Sequence, residues 1–389
     1  MFNEIIDRSG TSCEKFDSLE RIFGTDDVIP LWVADMDFAS ADVIVEVLKR
    51  RVEHRVFGYT YRSQAYNDAI KGWVARRAGW QIKDEWLAFS PGVVVGVTFA
   101  MLSCTSEGDG ILIQQPVYHP FAMVIKANNR QVINNELLNT EQGYRIDFED
   151  FEEKLKHSKA FILCNPHNPT GRCFSQAELK RMGDLCVKYG VRIISDEIHS
   201  DFVYKPYKHI HIASISREIA DNTITFIAPS KSFNLAGLST AVAISSSEKI
   251  LKEYNQELHK IHLDSGNIFG IEALMAAYND GDEWMDSMKE YLCGNIDYVI
   301  DFLRKNLPEV KCHRPEATYL MWLDFSAWRM TQAELNEFIV KKAGLGTTSG
   351  VIFGDGGRGF QRMNVGSPRA VIEKAMNQLE RARNEKANQ

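Results

Sequence analysis

Between residues 86 and 244 short apolar runs alternate with stretches of helical spacing, and no other feature constrains the fold of this chain as tightly. Runs at 86–89, 111–114, 160–164, 191–195, 223–228 and 241–244 are built from Ile, Val, Leu, Phe and Ala and have the length of buried strands. Helices fit between them. Ser90-Pro-Gly-Val-Val-Val opens one that should run to about Cys104. Ser175-Gln-Ala-Glu178 is a capping box, followed by Leu179, Met182, Leu185 and Cys186 on one face and closed by Gly190. Strands separated by helices predict an α/β fold with a mostly parallel sheet covered on both faces.

The flanks read differently. Residues 1–30 are mixed and loop-like. Leu31-Trp-Val-Ala-Asp-Met-Asp-Phe38 then sets two acids among large apolar groups, so it should lie partly buried with its carboxylates bonded. A helix over 41–55, the glycine-led aromatic loop Phe57-Gly-Tyr-Thr-Tyr61 and a helix to about Ala78 follow. Beyond about residue 285 the pattern predicts a long helix (284–307), a run at 319–325, a helix from Thr331, a glycine-rich loop, a run at 361–365 and a charged helix after Pro368. These predict a smaller α+β domain. The 389 residues thus divide into a large domain over 45–285 and a small one from 1–44 and 286–389.

Charge and composition exclude several partners. Lys and Arg number 45 against 52 Asp and Glu, a net charge of −7, so no basic face advertises nucleic acid or anionic lipid. The longest apolar stretch, 93–102, is far short of the roughly 20 residues of a membrane helix. No basic region followed by an apolar one marks a signal peptide at the N-terminus. Seven scattered cysteines without a CxxC fit reduced thiols in a cytosol. A soluble cytoplasmic protein with no nucleic-acid or membrane partner is expected.

Ligands of open α/β sheets bind at the carboxyl ends of the strands. Here those ends carry groups matching each part of pyridoxal 5'-phosphate (PLP). Lys231 follows the run at 223–228; a desolvated amine has a lowered pKa and attacks aldehydes. Alone, a Ser-Lys pair at a strand end is more often a surface feature, so its partners decide. Backbone donors at Gly92, Val93 and Val94, where a helix begins, suit a phosphate, and the Ser230 hydroxyl lies beside the lysine. Tyr118, just past a strand end, offers a ring to stack on, though an ordinary loop tyrosine reads the same. Asn168, in Asn-Pro-Thr-Gly171, serves as turn former or as donor to a phenolic oxygen. Asp196, directly after the run at 191–195, offers a buried carboxylate to a pyridine nitrogen. It precedes Lys231 by 35 residues, room for a loop, a helix and a strand. Asp196, Glu197, His199, Asp201, His209 and His211 also suggest a metal, but Asp196 and Glu197 would face opposite ways along a strand, so no metal is expected.

In this order, Pro91-Gly92-Val93, Asn165-Pro-His-Asn-Pro-Thr-Gly171, Ser195-Asp-Glu-Ile-His199, Ser230-Lys-Ser-Phe-Asn-Leu-Ala-Gly237 and Gly359-Phe-Gln-Arg-Met-Asn364 resemble the class I/II aminotransferase superfamily of fold type I PLP enzymes, over residues 31–369. Val33-Ala-Asp-Met-Asp-Phe38, Phe57-Gly-Tyr-Thr60, Asp196-Glu-Ile-His-Ser-Asp201 and Thr318-Tyr-Leu-Met-Trp-Leu-Asp324 look most like its cystathionine β-lyase (carbon–sulfur lyase) branch of MalY/PatB type. The resemblance implies a large domain with a mostly parallel seven-stranded sheet, and PLP as cofactor. It implies catalytic roles for Lys231 (the Schiff-base lysine), Asp196, Tyr118 and Tyr59. Cofactor contacts are implied for Gly92, Val93, Val94, Tyr118, Asn168, Asp196, His199, Ser230, Lys231 and Tyr59. Arg362 would clamp the α-carboxylate of an amino-acid substrate. Tyr59 would reach across a homodimer interface to the neighbour's phosphate and leaving group.

Three positions depart from relatives. Gly237-Leu-Ser-Thr240 stands where many transaminases have an arginine for phosphate, and His199 stands where many have a tyrosine; both agree with the lyase branch. Thr347-Thr-Ser-Gly350 stands where relatives often have Pro-Gly, at one wall of the pocket, whose form the resemblance does not carry over. The implied reaction is α,β-elimination of L-cystathionine or a related cysteine S-conjugate to thiol, pyruvate and ammonia. The alternatives are an aminotransferase with the same parts and a regulatory PLP-binding protein. Regulators of that kind carry a separate DNA-binding module, for which this sequence shows no basic patch.

Overall fold

A computed structural model, describing residues 2–387, gathers the apolar runs into one seven-stranded sheet. In chain order the strands are β1 (Leu87–Ser90), β2 (Gly110–Ile113), β3 (Gln131–Asn134), β4 (Ala160–Cys164), β5 (Arg192–Asp196), β6 (Thr223–Ile227) and β7 (Ala241–Ile244). Their spatial order is β1-β7-β6-β5-β4-β2-β3. Every neighbouring pair is parallel except the two that β7 makes, with β1 and with β6. Six of the seven strands therefore point their carboxyl ends to one edge of the sheet.

The period-2 pleat explains why the runs are apolar throughout. Ile111, Ile113, Ile162, Ile194 and Phe226 pack against Val93, Val97, Ala100 and Met101 of the helix Val93–Cys104. The intervening Leu112, Phe161, Leu163 and Ile193 pack on the opposite face against Leu179, Met182 and Cys186 of the helix Gln176–Tyr189. That second helix has the capping box between Ser175 and Glu178 and ends at Gly190 in the left-handed conformation. The edge strand β3 escapes the sequence pattern because its Gln-Val-Ile-Asn is only part-buried and carries little apolar signal.

The smaller part holds a three-stranded antiparallel sheet of β8 (Leu320–Asp324), β9 (Thr348–Ser349) and β10 (Phe360–Asn364), in the order β8-β10-β9. The helices Asp282–Asn306 and Arg369–Ala387 pack against it through a shared core. A capping box at Thr331 opens the helix Gln332–Glu337, which continues as a π-turn over Phe338–Lys342.

The first 30 residues are more ordered than their composition suggests. Short helices span Glu14–Asp17 and Leu19–Phe23, and Ile29–Pro30 pairs with Leu345–Gly346. The reason is the pair of acids expected to need partners. Arg8 donates to Asp35 Oδ2 at 2.6 Å and to Asp37 Oδ1 at 2.7 Å, while the fully buried Lys15 donates to Asp37 Oδ2 at 2.7 Å. Two asparagines then fix the following carbonyls: Asn364 donates to those of Val33 and Asp35, and Asn234 to those of Met36 and Phe38. Polar bonds thus press segment 31–38 down at the strand ends. All seven cysteines are free, and no described helix is long and apolar enough to cross a membrane.

Candidate active site

The carboxyl ends of β6 and β5 bring Lys231 and Asp196 into one electrostatic neighbourhood. β6 stops at Ile227, Ala228 is extended, and Pro229 starts a single helical turn, Pro229–Ser232, that carries Lys231. The amine of Lys231 donates to the Ala34 carbonyl at 2.6 Å and lines a cavity of about 710 Å3 with Trp32, Tyr118, Thr348 and Arg362. Burial draws its pKa down to about 8, with Arg362 acting in the same sense and Asp35 and Asp196 against it. Asp196, the last residue of β5, is almost fully buried, and Oδ1 accepts the Ile198 N–H at 3.1 Å. Burial pushes this carboxyl up to about 7, while that N–H and the Lys231 charge pull it back. Near neutral pH neither group holds its proton firmly.

Arg362 enters from the middle of β10. Nη1 donates to Asn168 Oδ1 at 3.1 Å and Nη2 to the Trp32 carbonyl at 2.7 Å, while Nε is buried without a partner. Among the described residues no carboxylate pairs with it, and burial lowers its pKa to about 10. A desolvated guanidinium bonded only to neutral oxygens is a receptor for a planar anion. Asn168 also accepts the Tyr118 N–H through its carbonyl at 2.9 Å, so the turns after β2 and β4 are tied together. Burial raises the Tyr118 hydroxyl to about 12. His199 is buried with Nδ1 unpartnered; burial, then the Lys231 and Arg362 charges, depress it to about 3, so the ring is neutral.

β1 delivers the remaining element. After Ser90 the chain turns at Gly92 into the helix Val93–Cys104, and no side chain caps that helix start. Ser90 Oγ donates to the Gly92 carbonyl at 2.7 Å, which pins the turn. A Cβ at Gly92 would meet nothing within 4 Å, so open space fronts the unbonded N–H groups of the first turn, including those of Val93 and Val94. Ser230, beside Lys231, is part-buried.

The six residues weighed as metal ligands separate. Asp196 and His199 turn toward Lys231. Glu197 turns the other way: Oε2 accepts from His209 Nε2 at 2.7 Å and from His211 Nδ1, and Oε1 accepts from Ser195 Oγ at 2.7 Å. Burial opposes its charge, yet the two imidazoles hold its pKa at about 2. Asp201 accepts a hydrogen bond from Ser232 Oγ. Glu197, His209 and His211 thus form a cluster of their own with atoms within 4.8 Å of one another.

Within one chain Tyr59 is not brought to Lys231. It stands fully exposed, beside exposed Val56, Phe57 and Tyr61. The carbonyls of Trp32 and Ala34 and the Thr348 hydroxyl, which touch Arg362 or Lys231, were not legible as site atoms. Every residue has a carbonyl, so only the buried acids of segment 31–38 hinted at its placement.

Known proteins are similar to this chain over nearly its whole length. A family model described as aminotransferase class I and II matches residues 26–379. Cystathionine beta-lyase PatB of Bacillus subtilis is 40% identical over 383 residues, 98% of this chain and 99% of its own. Cystalysin from Treponema denticola, a structure that contains a pyridoxal 5'-phosphate cofactor, superposes with a TM-score of 0.95 at 36% identity and covers 99% of both chains. The PLP-bound C-S lyase from Staphylococcus hominis gives a TM-score of 0.92 at 34% identity, over 98% of this chain and 97% of its own.

Proposed function

This chain belongs to the class I and II aminotransferase family, and from that premise we propose a PLP-dependent carbon–sulfur β-lyase of the cystathionine β-lyase type. It converts L-cystathionine or a related cysteine S-conjugate to thiol, pyruvate and ammonia. The observation that carries the reading is one cavity presenting both the Lys231 amine, drawn down to about 8, and a buried guanidinium with no carboxylate of its own.

The donors and acceptors fit PLP. The uncapped helix start at Gly92, Val93 and Val94, with Ser230, suits the phosphate. Asp196, buried and without a bonded cation, suits a ring nitrogen; Asn168 suits the phenolic oxygen; Tyr118 and the neutral His199 suit the ring and its edge. Lys231 Nζ suits the aldehyde. When bound, the cofactor supplies an electron sink for charge leaving the substrate α-carbon.

The chain's own residues supply the rest. Arg362 takes the substrate carboxylate in a two-pronged grip and thereby sets the α-carbon against Lys231. The Lys231 amine, neutral in a good fraction near pH 8, removes the α-proton. Asp196 keeps negative charge opposite the ring nitrogen. Trp32, Phe23, Ile339 and Val340 wall the remaining side of the cavity with apolar surface, which keeps water from the reacting atoms and leaves room for the thiol group.

The working unit is a homodimer in the cytosol, with Tyr59 completing the neighbour's site. The exposed Val56, Phe57, Tyr59 and Tyr61 support this, as apolar groups a partner would cover. The domain division falls near residues 45 and 285.

The test is to incubate PLP-loaded protein with L-cystathionine and, separately, with an amino acid plus a 2-oxo acid. Pyruvate and free thiol in equal amounts are expected from the first. Amino exchange in the second, with neither product in the first, would overturn the lyase reading in favour of an aminotransferase.

A further inference from the structure

A second cavity, of about 510 Å3, lies among the helix Gln64–Ala78, the segment 200–211 and the helix Asp282–Asn306. Five cationic side chains line it: Arg76, Arg77, Lys205, Lys208 and Lys289. The arginines already have partners, Arg76 pairing with Asp282 at 3.0 Å and Arg77 with Asp286 at 2.8 Å. The lysines do not. Among the described residues no carboxylate oxygen lies within 4.0 Å of Lys205, Lys208 or Lys289.

Lys289 is half-buried, and its ammonium is disfavoured first by burial and then by the Arg77 charge. The acid that lines the cavity with these lysines, Asp201, accepts a hydrogen bond from Ser232 Oγ. The carboxylate on the cavity's inner side, Glu197, is consumed by His209 and His211. Three ammonium groups around one carboxylate leave an excess of about two positive charges, the complement of a phosphate dianion near neutral pH. The volume is that of a small-molecule site, and lysine is a point-charge binder of phosphate. The same cations oppose a metal ion at the neighbouring Glu197–His209–His211 cluster.

We propose that this cavity binds a phosphate dianion, free or as the ester of a small metabolite, at a site separate from that of Lys231. Lys289, Lys205 and Lys208 hold its oxygens, while Arg76 and Arg77 stay paired with Asp282 and Asp286.

The test is isothermal titration of the PLP-loaded protein, whose cofactor phosphate site is already filled, with inorganic phosphate and in a second arm with glucose 6-phosphate. Both arms are repeated with Lys289→Gln and with the surface pair Lys205→Gln/Lys208→Gln, which leaves the buried residues untouched. Binding at one site per chain is expected, weakened about tenfold or more in each variant. Tighter binding of the ester assigns the site to a phosphorylated metabolite, and equal or tighter binding of inorganic phosphate assigns it to the free ion. Absence of binding in both arms, equal affinity in wild type and both variants, or equally effective displacement by chloride would each overturn the proposal.

Discussion

Asp196 carries a stability deficit that its function would require. Burial raises its pKa from 3.8 to about 7, so the folded chain keeps a proton that the unfolded chain releases. Between those values the folded state binds more protons, and stability therefore falls as pH rises from about 4 to about 7. The full deficit persists above that. An asparagine cannot ionise, so cofactor-free Asp196→Asn is expected to be more stable than cofactor-free wild type above pH 7, by on the order of 4 kcal/mol. The difference should close below about pH 4, as read from thermal melts across pH. The PLP-loaded variant should lose the lyase reaction. A pH-independent difference between the two apo-proteins would show that Asp196 is not desolvated. The position of Asp196 directly after a buried run marked it in the sequence as a buried carboxylate. The sequence did not carry the direction of Glu197, whose partners at 209 and 211 arrive from a loop that no local pattern orients.

The helix Val93–Cys104 joins the core to the proposed phosphate cradle, and its one glycine, Gly96, and the glycine at its N-cap, Gly92, separate those duties. A Cβ on Gly96 would sit 2.4 Å from the Phe226 ring and 2.6 Å from Ser90 Oγ, because this helix lies hard against β6 and the turn after β1. Gly96→Ala must push the helix off the sheet, at a cost of about 1–3 kcal/mol. PLP affinity should fall with it. At Gly92 a Cβ meets nothing within 4 Å, and φ of 173° is extended backbone open to any residue. Gly92→Ala should keep the stability of the wild type and weaken only PLP, by placing a methyl group in the cradle. Denaturant unfolding and PLP titration by absorbance separate the two effects; equal loss of stability in both variants would contradict this division. Most strands of the main sheet were legible because both of their faces are buried. The edge strand β3 and the short N-terminal helices were not, since β3 is only part-buried and the helices are held by ion pairs rather than by local apolar content.

For the whole molecule, the exposed aromatic loop is the feature a single chain leaves unexplained. If Tyr59 completes a neighbour's site, Tyr59→Ala and Lys231→Ala will each be inactive alone. Mixed, unfolded and refolded together, they should regain up to about a quarter of wild-type activity, since half of the dimers are mixed and one of their two sites is intact. No recovery in a preparation shown by light scattering to be dimeric would remove Tyr59 from the site. The sequence by itself determined the alternation of strand and helix, the continuous apolar runs of a doubly covered sheet, and the presence of a lysine, an acid, an asparagine and a tyrosine after strand ends. These follow from local periodicity and from the rule that strand ends carry ligands. Only the tertiary structure decided that Arg362, from the small sheet, meets Asn168 and the carbonyls of segment 31–38, and that surplus lysines gather around a second cavity. Both depend on contacts between residues far apart in the chain, which are set by how the layers pack and leave no mark on the pattern of neighbouring residues.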